Sequence, residues 1–206
     1  PAAMARAAEE NGAVMIQPST DYVFDGAGDA PFAPDHPTAP LNAYGRSKMA
    51  GEAGVRTAGG VHAILRVSWV FSAHGGNFVK TMLRLGASRD QLTVVADQIG
   101  GPTPADAIAR ACVTIAQTLR NTPALSGTYQ FAGAPDTSWA GFARETFARA
   151  GMGCTVTDIP TSDYPTPATR PLNSRLDCSG LAVFGLERPD WRAGLDRVLQ
   201  ELRGKA

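Results

Sequence analysis

The sequence predicts an α/β fold in which a parallel sheet is covered by helices on both faces. Short apolar runs of strand length alternate with longer segments whose apolar residues recur at helical spacing. Such alternation is typical of parallel strands joined by crossover helices. The chain has 206 residues, 44% of them hydrophobic, which is enough for one sizeable core or two small joined lobes.

The first half of the chain begins this alternation. An Ala- and Glu-rich opening predicts the end of a helix that Gly12 closes. The segment 25–42 is dense in Pro, Gly and Asp and therefore predicts a loop. The regular segments predicted around this loop are, in order, helix 1–11, strand 13–18, helix 44–56, strand 61–67, helix 77–85 and strand 91–96.

The second half continues the pattern and then departs from it. Thr103 is predicted to cap a helix that has Pro104 at its first position and Asp106 in its first turn. From 155 to 175 the composition shifts to Pro, Thr, Ser, Asp and Arg, which predicts a long ordered loop over a site. The other predicted elements are strand 127–132, helix 139–150 and helix 191–202.

Charge and cysteine content narrow the class of protein. Lys plus Arg and Asp plus Glu each number 19, so the basic excess typical of nucleic-acid binders is missing and no nucleic-acid polymer is expected as partner. Three cysteines without CxxC spacing favour a reducing, cytoplasmic location over disulfides or structural zinc. No apolar run is long enough for a bilayer and no signal peptide is visible, so no membrane partner is expected. The histidines and carboxylates show no metal-ligand spacing, and no metal site is predicted.

A tyrosine and a lysine are the first candidates for chemistry. Tyr44 and Lys48 are four residues apart on a predicted helix, so their side chains share one face. A phenol normally titrates near pH ~10, and a neighbouring ammonium lowers that pKa by favouring the phenolate. The pair can therefore act as a general acid tuned by a cation. The alternative is a surface helix with a solvated lysine.

The context of this pair resembles a known enzyme family. Ser19 and Thr20 at a strand end, a loop, and then Tyr44 and Lys48 opening a helix resemble the extended short-chain dehydrogenase/reductase family. Within it, six blocks resemble the dTDP-4-dehydrorhamnose reductases in the same order: "STDYVFDG", "PLNAYGRSKMAGE", "RVSWVF", "NFVKTMLRL", "DQIGGPT" and "YPTPATRPLNSRL".

The resemblance implies a fold and a domain division. The fold would be an incomplete Rossmann-like, doubly wound parallel sheet with a small α/β substrate-binding lobe. Residues 1–150 would form the C-terminal part of an NAD(P)-binding Rossmann domain with interleaved segments of the lobe, and 151–206 mainly the lobe. The 206 residues contain no GxGxxG, so the seat for the dinucleotide pyrophosphate would be missing. We therefore expect this chain alone to be inactive or nearly so.

The resemblance also implies catalytic and cofactor-binding roles. Thr20 would hold the substrate carbonyl, Tyr44 would give or take the proton, and Lys48 would bind the nicotinamide ribose while lowering the tyrosine pKa. Thr20 is preferred to Ser19, because adjacent residues of an extended chain point to opposite sides. Backbone groups of Val67 and Ser68 would meet the nicotinamide carboxamide.

Substrate contacts are predicted with structural alternatives beside them. Asp21 and Tyr22 would contact sugar or nucleotide, or else cap and pack the turn. Trp69 would cover the sugar ring, or else fill the core. Arg170 or Arg175 would bind the diphosphate through paired donors, with Arg175 preferred, or else brace the loop. The "DQIGGPT" turn would shape the pocket floor through Gln98, Gly100 and Pro102, with Thr103 engaged in capping.

The implied reaction is reduction of the 4-keto group of dTDP-6-deoxy-L-lyxo-4-hexulose to dTDP-L-rhamnose, with NADPH or NADH as cofactor. The implied partner is thus a dTDP-linked keto sugar, and a homodimer is possible. Some family members use magnesium, but the sequence identifies no ligands for it. The alternatives are an epimerase or dehydratase of the extended family, and a non-catalytic regulatory subunit similar to the partner of methionine adenosyltransferase.

Overall fold

The computed structural model describes residues 1–204, in which helices and strands alternate along most of the chain. The helices are α1 (Ala2–Glu10), α2 (Ala43–Ala58), α3 (Phe78–Gly86), α4 (Ala105–Asn121), α5 (Trp139–Ala150) and α6 (Trp191–Arg203). The strands are β1 (Met15–Thr20), β2 (His62–Val67), β3 (Val70–Phe71), β4 (Gln91–Val95), β5 (Ile99–Gly100), β6 (Thr103–Pro104), β7 (Gly127–Phe131), β8 (Thr137–Ser138), β9 (Thr155–Ile159) and β10 (Asn173–Ser174).

The main sheet is parallel and has the order β1-β2-β7. Its faces are buried by different helices, because side chains alternate along each strand. Ile64 of β2 packs with Ala5 of α1 and Val55 of α2. Its neighbour Leu65 packs on the opposite face, in a core that includes Ile115 of α4. The predicted α/β fold with a parallel sheet covered on both faces is therefore confirmed.

A second region is built on α3, α5 and α6. Its strands form short sheets, in which β3 pairs with β6, β4 with β9, and β5 lies between β10 and β8. The core of this region is strongly aromatic. Phe142 of α5 is fully buried and contacts Phe71, Phe78 and Trp191.

Two of the sequence predictions were wrong in detail. The segment 155–175 is not a continuous loop, because Thr155–Ile159 is a strand paired in parallel with β4. Thr103 does not cap α4: its hydroxyl donates to the Gly101 carbonyl and accepts from the Gly133 amide, and Pro104 stands at the cap position. A buried hydroxyl thus fixes the turn before the helix rather than the helix itself.

The last part of the 155–175 segment, called here the proline-rich segment, closes over the end of β1. The amide of Asn173 donates to the Gly26 carbonyl at 3.0 Å, and the Phe32 amide donates to the Arg175 carbonyl at 3.0 Å. The Asn42 side chain, at the start of α2, donates to the Thr169 carbonyl at 2.9 Å. These bonds bring a distant part of the chain to the place where β1 ends.

Candidate active site

The candidate site lies at the carboxyl end of the parallel sheet, where ligands commonly bind in open α/β folds. Thr20 ends β1 and begins a 3-10 helix, Asp21–Val23, by accepting a hydrogen bond from the Tyr22 amide. The first turn of α2 packs directly on this short helix, because a Cβ at Gly45 would lie 2.1 Å from the Tyr22 carbonyl oxygen. Glycine at 45 therefore lets Tyr44 approach the end of β1.

Ser19 and Thr20 point to opposite faces of the sheet, as the alternation of a strand requires. The buried Ser19 hydroxyl donates to Glu52 Oε1 at 2.6 Å, beneath α2. Thr20 is also buried, and its hydroxyl donates to Asp21 Oδ1 at 2.9 Å on the side of the candidate site. This geometry agrees with the choice of Thr20 over Ser19, although the role of Thr20 in catalysis stays a prediction.

Tyr44 and Lys48 lie one turn apart in the first half of α2. The Tyr44 side chain is 54% exposed, and its ring meets the Tyr22 ring edge-on with centroids 5.7 Å apart. The Lys48 ammonium donates to the Pro18 carbonyl at 2.8 Å, which ties it to β1 just before Thr20. The structure therefore brings an accessible phenol, an ammonium and the Thr20 hydroxyl to one end of β1.

Asp21 is the most unusual ionisable group of the site. Its side chain is only 3% exposed, and its Oδ2 makes no hydrogen bond within residues 1–204. Burial raises the pKa of Asp21 from 3.8 to about 6, although the nearby Ser174 and Thr20 hydroxyls oppose the rise. Because this pKa lies close to neutral pH, the Asp21 carboxyl can gain or lose its proton there at a small cost in free energy.

The raised pKa predicts that Asp21→Asn stabilises the protein at high pH. A carboxyl with a raised folded pKa favours folding below its unfolded pKa and loses that advantage as the pH rises from 3.8 to about 6. The difference between the folded and unfolded pKa values of Asp21 corresponds to about 3 kcal/mol of stability at most. We expect urea unfolding to show the variant as more stable than wild type at pH 8 and similar to it at pH 4. A difference independent of pH would contradict the prediction.

Trp69 stands at the turn after β2 with a left-handed backbone, φ +48°, which is rare for a bulky side chain. Its ring stacks on Trp139 of α5 with centroids 3.6 Å apart. Val67 ends β2, and the buried Ser68 hydroxyl donates to the Gly101 carbonyl at 2.9 Å. The Ser68 side chain is thus engaged by the "DQIGGPT" turn, which leaves its backbone as the group available for a cofactor.

A cavity of about 780 Å³ opens beside the aromatic pair, and Trp139 and Gln98 line it. Part of its lining is apolar and includes Met82 and Leu92. Two arginines from distant parts of the chain face it, Arg89 and Arg170. Such a combination suits a ligand with one flat apolar end and one anionic end.

The two arginines of the proline-rich segment occupy different surroundings. Arg170 lines the cavity, and its charge acts to lower the pKa of Tyr22, which burial raises. Arg175 instead donates to the Asn173 side chain at 3.1 Å, and Asn173 in turn donates to the Ala30 carbonyl. The contacts of Arg175 thus fit the alternative of loop bracing, and its role in binding diphosphate stays a prediction.

Sequence reasoning missed several residues of this site. The sequence predicts Trp139 only as part of helix 139–150, and no motif singles out Arg89. Glu52, which anchors α2 from beneath through Ser19, is marked in the sequence only by its spacing, since it follows Lys48 by four residues. Within residues 1–204, no three His, Cys, Asp or Glu side chains lie close enough to hold a metal ion. The same described part of the chain contains no helix able to span a membrane.

Comparison with known proteins places this geometry in a family. The model of the RmlD substrate binding domain matches residues 1–204. The dTDP-4-dehydrorhamnose reductase of Sinorhizobium fredii is 45% identical over 207 residues, which cover 97% of this chain and 70% of the relative. The chain thus spans about 70% of the length of that protein.

Solved structures agree in fold as well as in sequence. A dTDP-4-dehydrorhamnose reductase from Clostridium acetobutylicum matches with a TM-score of 0.91 and 35% identity, over 98% of this chain and 71% of its own. The enzyme of the same name from Bacillus anthracis, solved in complex with NADP, matches with a TM-score of 0.88 and 37% identity, over 97% and 70%. Because both the sequence and the overall fold agree, the chain belongs to the dTDP-4-dehydrorhamnose reductase family.

Proposed function

We propose that the protein reduces the 4-keto group of dTDP-6-deoxy-L-lyxo-4-hexulose to give dTDP-L-rhamnose, with NADPH or NADH as the reductant. The observation that carries the proposal is the meeting of Thr20, Asp21 and Tyr44 at the carboxyl end of β1, beside Lys48. Family membership supports the reaction class, since the relatives are named for this reduction.

The donor set fits the nicotinamide end of the cofactor. The Lys48 ammonium carries three protons, of which one goes to the Pro18 carbonyl, so it can also donate to ribose hydroxyls. The exposed Tyr44 phenol lies one helical turn away, and the backbone at Val67 and Ser68 ends the neighbouring strand. The pyrophosphate end needs a glycine-rich turn, which these 206 residues do not contain.

In the proposed mechanism the residues of the chain stabilise and protonate the keto oxygen. When bound, the reduced nicotinamide supplies a hydride to the keto carbon. Tyr44 donates its proton to the oxygen as negative charge grows there, and its exposure allows it to be reprotonated from water. Thr20 adds a hydrogen bond, for which its hydroxyl must turn from Asp21 Oδ1. That turn is easiest when Asp21 is neutral, because a neutral carboxyl accepts more weakly.

The cavity is proposed to take the nucleotide. Its apolar lining residues, such as Met82 and Leu92, suit a flat base, and the guanidinium groups of Arg89 and Arg170 suit a diphosphate. Trp69 would then cover the sugar between the cavity and Tyr44. The division into a cofactor-binding part within 1–150 and a substrate lobe mainly within 151–206, a cytoplasmic location and a homodimer belong to the same proposal.

The test is NADPH oxidation by the full-length gene product. We expect absorbance of NADPH to fall when the keto sugar nucleotide is added, with one dTDP-L-rhamnose formed for each NADPH consumed. An epimerase or dehydratase would return the hydride to the sugar and leave NADPH unchanged, and a regulatory subunit would produce no new sugar. Either result would contradict the proposal.

A further inference from the structure

Trp69 is held in a strained backbone conformation. Left-handed backbone is unfavourable for a bulky side chain and persists only where the surroundings impose it. The Thr103 amide donates to the Trp69 carbonyl at 3.1 Å, which fixes the backbone from one side. Gly100 leaves room for the ring, because a Cβ there would lie 3.0 Å from Trp69 Cε2 and 2.9 Å from the Ser174 Cβ. These contacts permit the conformation but do not determine where the indole points.

Trp139 supplies the missing constraint on the indole. The two rings are nearly parallel, with 10° between their planes and centroids 3.6 Å apart. Trp139 is itself held by two other residues. The Phe78 ring lies with its centroid 4.6 Å from that of Trp139, and Trp139 Nε1 donates to Gln98 Oε1 at 3.1 Å. Trp139 therefore offers Trp69 a flat surface in one orientation.

Gln98 is oriented in turn by Thr161, which follows strand β9. Its Nε2 donates to Thr161 Oγ1 at 3.1 Å, and the Thr161 hydroxyl donates to Asp97 Oδ1 at 2.6 Å. The amide of Gln98 thus has one accepting and one donating end, both in use. A carboxylate at 98 would lose the donor and would stand next to the negative charge of Asp97.

We propose that Trp139, oriented by Gln98, is a positioning residue that keeps Trp69 turned toward the sugar of the substrate. The inference rests on the proposed function, because it takes Trp69 as the cover of the sugar ring. Trp139 acts through Trp69 and not on the reacting atoms. Its loss should therefore weaken binding of the sugar nucleotide while the Tyr44 and Lys48 end of the site is unchanged.

The first test measures the stacked pair without any substrate. Closely stacked indoles couple and give a paired ultraviolet circular dichroism signal, and the sequence has three tryptophans. We expect the signal to disappear in Trp69→Phe and Trp139→Phe and to remain in Trp191→Phe, since Trp191 lies outside the stack. Gln98→Glu should weaken it. A signal unchanged in Trp139→Phe would overturn the inference.

The second test separates binding from chemistry in the full-length protein. Trp139→Leu should raise the KM for the keto sugar nucleotide about tenfold, the scale set by releasing a strained residue. The KM for NADPH and the pH profile of kcat should stay as in wild type, and Trp139→Phe should recover part of the loss. An unchanged sugar KM in active Trp139→Leu would overturn the inference alone. An inactive wild type would contradict the proposed function, while the dichroism would still decide whether Trp139 holds Trp69.

Discussion

Replacing Tyr44 by Phe is expected to lower kcat for the keto sugar about 10²- to 10⁴-fold, the usual contribution of a positioned general acid. The change removes one oxygen atom and keeps the ring, which still packs edge-on against Tyr22. Because the Tyr44 side chain is 54% exposed, its hydroxyl contributes little to the fold. The measurement is NADPH oxidation at saturating sugar nucleotide, together with thermal unfolding of the same sample.

Tyr129→Phe is the matched control for losing a phenol. The Tyr129 hydroxyl donates to the Leu125 carbonyl at 2.6 Å, on β7 and away from the candidate site. Its loss should lower stability slightly and leave kcat unchanged. If folded Tyr44→Phe kept wild-type kcat, the assignment of Tyr44 as general acid would fail.

The elements that the sequence predicted well are those whose signal is local. Helix α2 begins where Asn42 caps it, and α5 ends at Gly151 with a left-handed backbone, so a few neighbouring residues determine each end. Strand β9 escaped prediction because it is formed by pairing with β4 rather than by its own burial. Most of its residues remain exposed or half-buried, and no apolar pattern marks it.

Only those site residues could be predicted that are related by strand alternation or by helical spacing within one element. Thr20 was separable from Ser19, and Tyr44 was placed beside Lys48, because each pair lies on one element. The choice between Arg170 and Arg175 depended on how the proline-rich segment folds back on Gly26 and Asn42, which is a matter of distant contacts. The stacking of Trp69 on Trp139 likewise joins two elements that no local pattern connects.

Below the part of α2 that carries Tyr44 and Lys48 lies a buried ionic cluster. Glu52 accepts hydrogen bonds from Arg66 Nε at 2.9 Å, Arg66 Nη2 at 2.8 Å, Ser19 at 2.6 Å and Arg56 at 2.9 Å. Arg66 also donates to the Pro34 carbonyl, and its guanidinium lies 4.9 Å from the centre of the Phe24 ring. The cluster therefore joins α2, which carries Tyr44, to strands β1 and β2 and to the loop 25–42.

Glu52→Ala is expected to destabilise the protein by about 3–5 kcal/mol, because it leaves the Arg66 charge buried without its partner. The side chains of Glu52 and Arg66 are 0% and 2% exposed, so water cannot replace the lost carboxylate. The measurement is the free energy of unfolding in urea. If Glu52→Ala does not fold, Glu52→Gln retains the size of the side chain and tests the charge alone.

Glu145→Ala provides a control of the same chemistry at the surface. Glu145 also lies on a helix, pairs with the arginine four residues later and meets a second arginine, Arg192, but its side chain is 29% exposed. Removing it should cost about 1 kcal/mol or less. If Glu52→Ala and Glu145→Ala lowered the free energy of unfolding equally, burial would not be the reason for the large contribution of Glu52 to stability.

Acid should remove the advantage that Glu52 gives the wild type. Burial acts to raise the pKa of Glu52, but hydrogen bonds from Arg66 and Ser19 outweigh it and bring the pKa below its ordinary value of 4.5. A carboxyl with a lowered folded pKa stabilises fully above its unfolded pKa, and that contribution is lost as the pH falls through the folded pKa. The gap between wild type and Glu52→Ala should therefore be constant from neutral pH down to about pH 5 and narrow below it. A gap that widened in acid would contradict this account of the cluster, because the helix that carries Tyr44 would then be anchored to the sheet by something other than the Glu52 carboxylate.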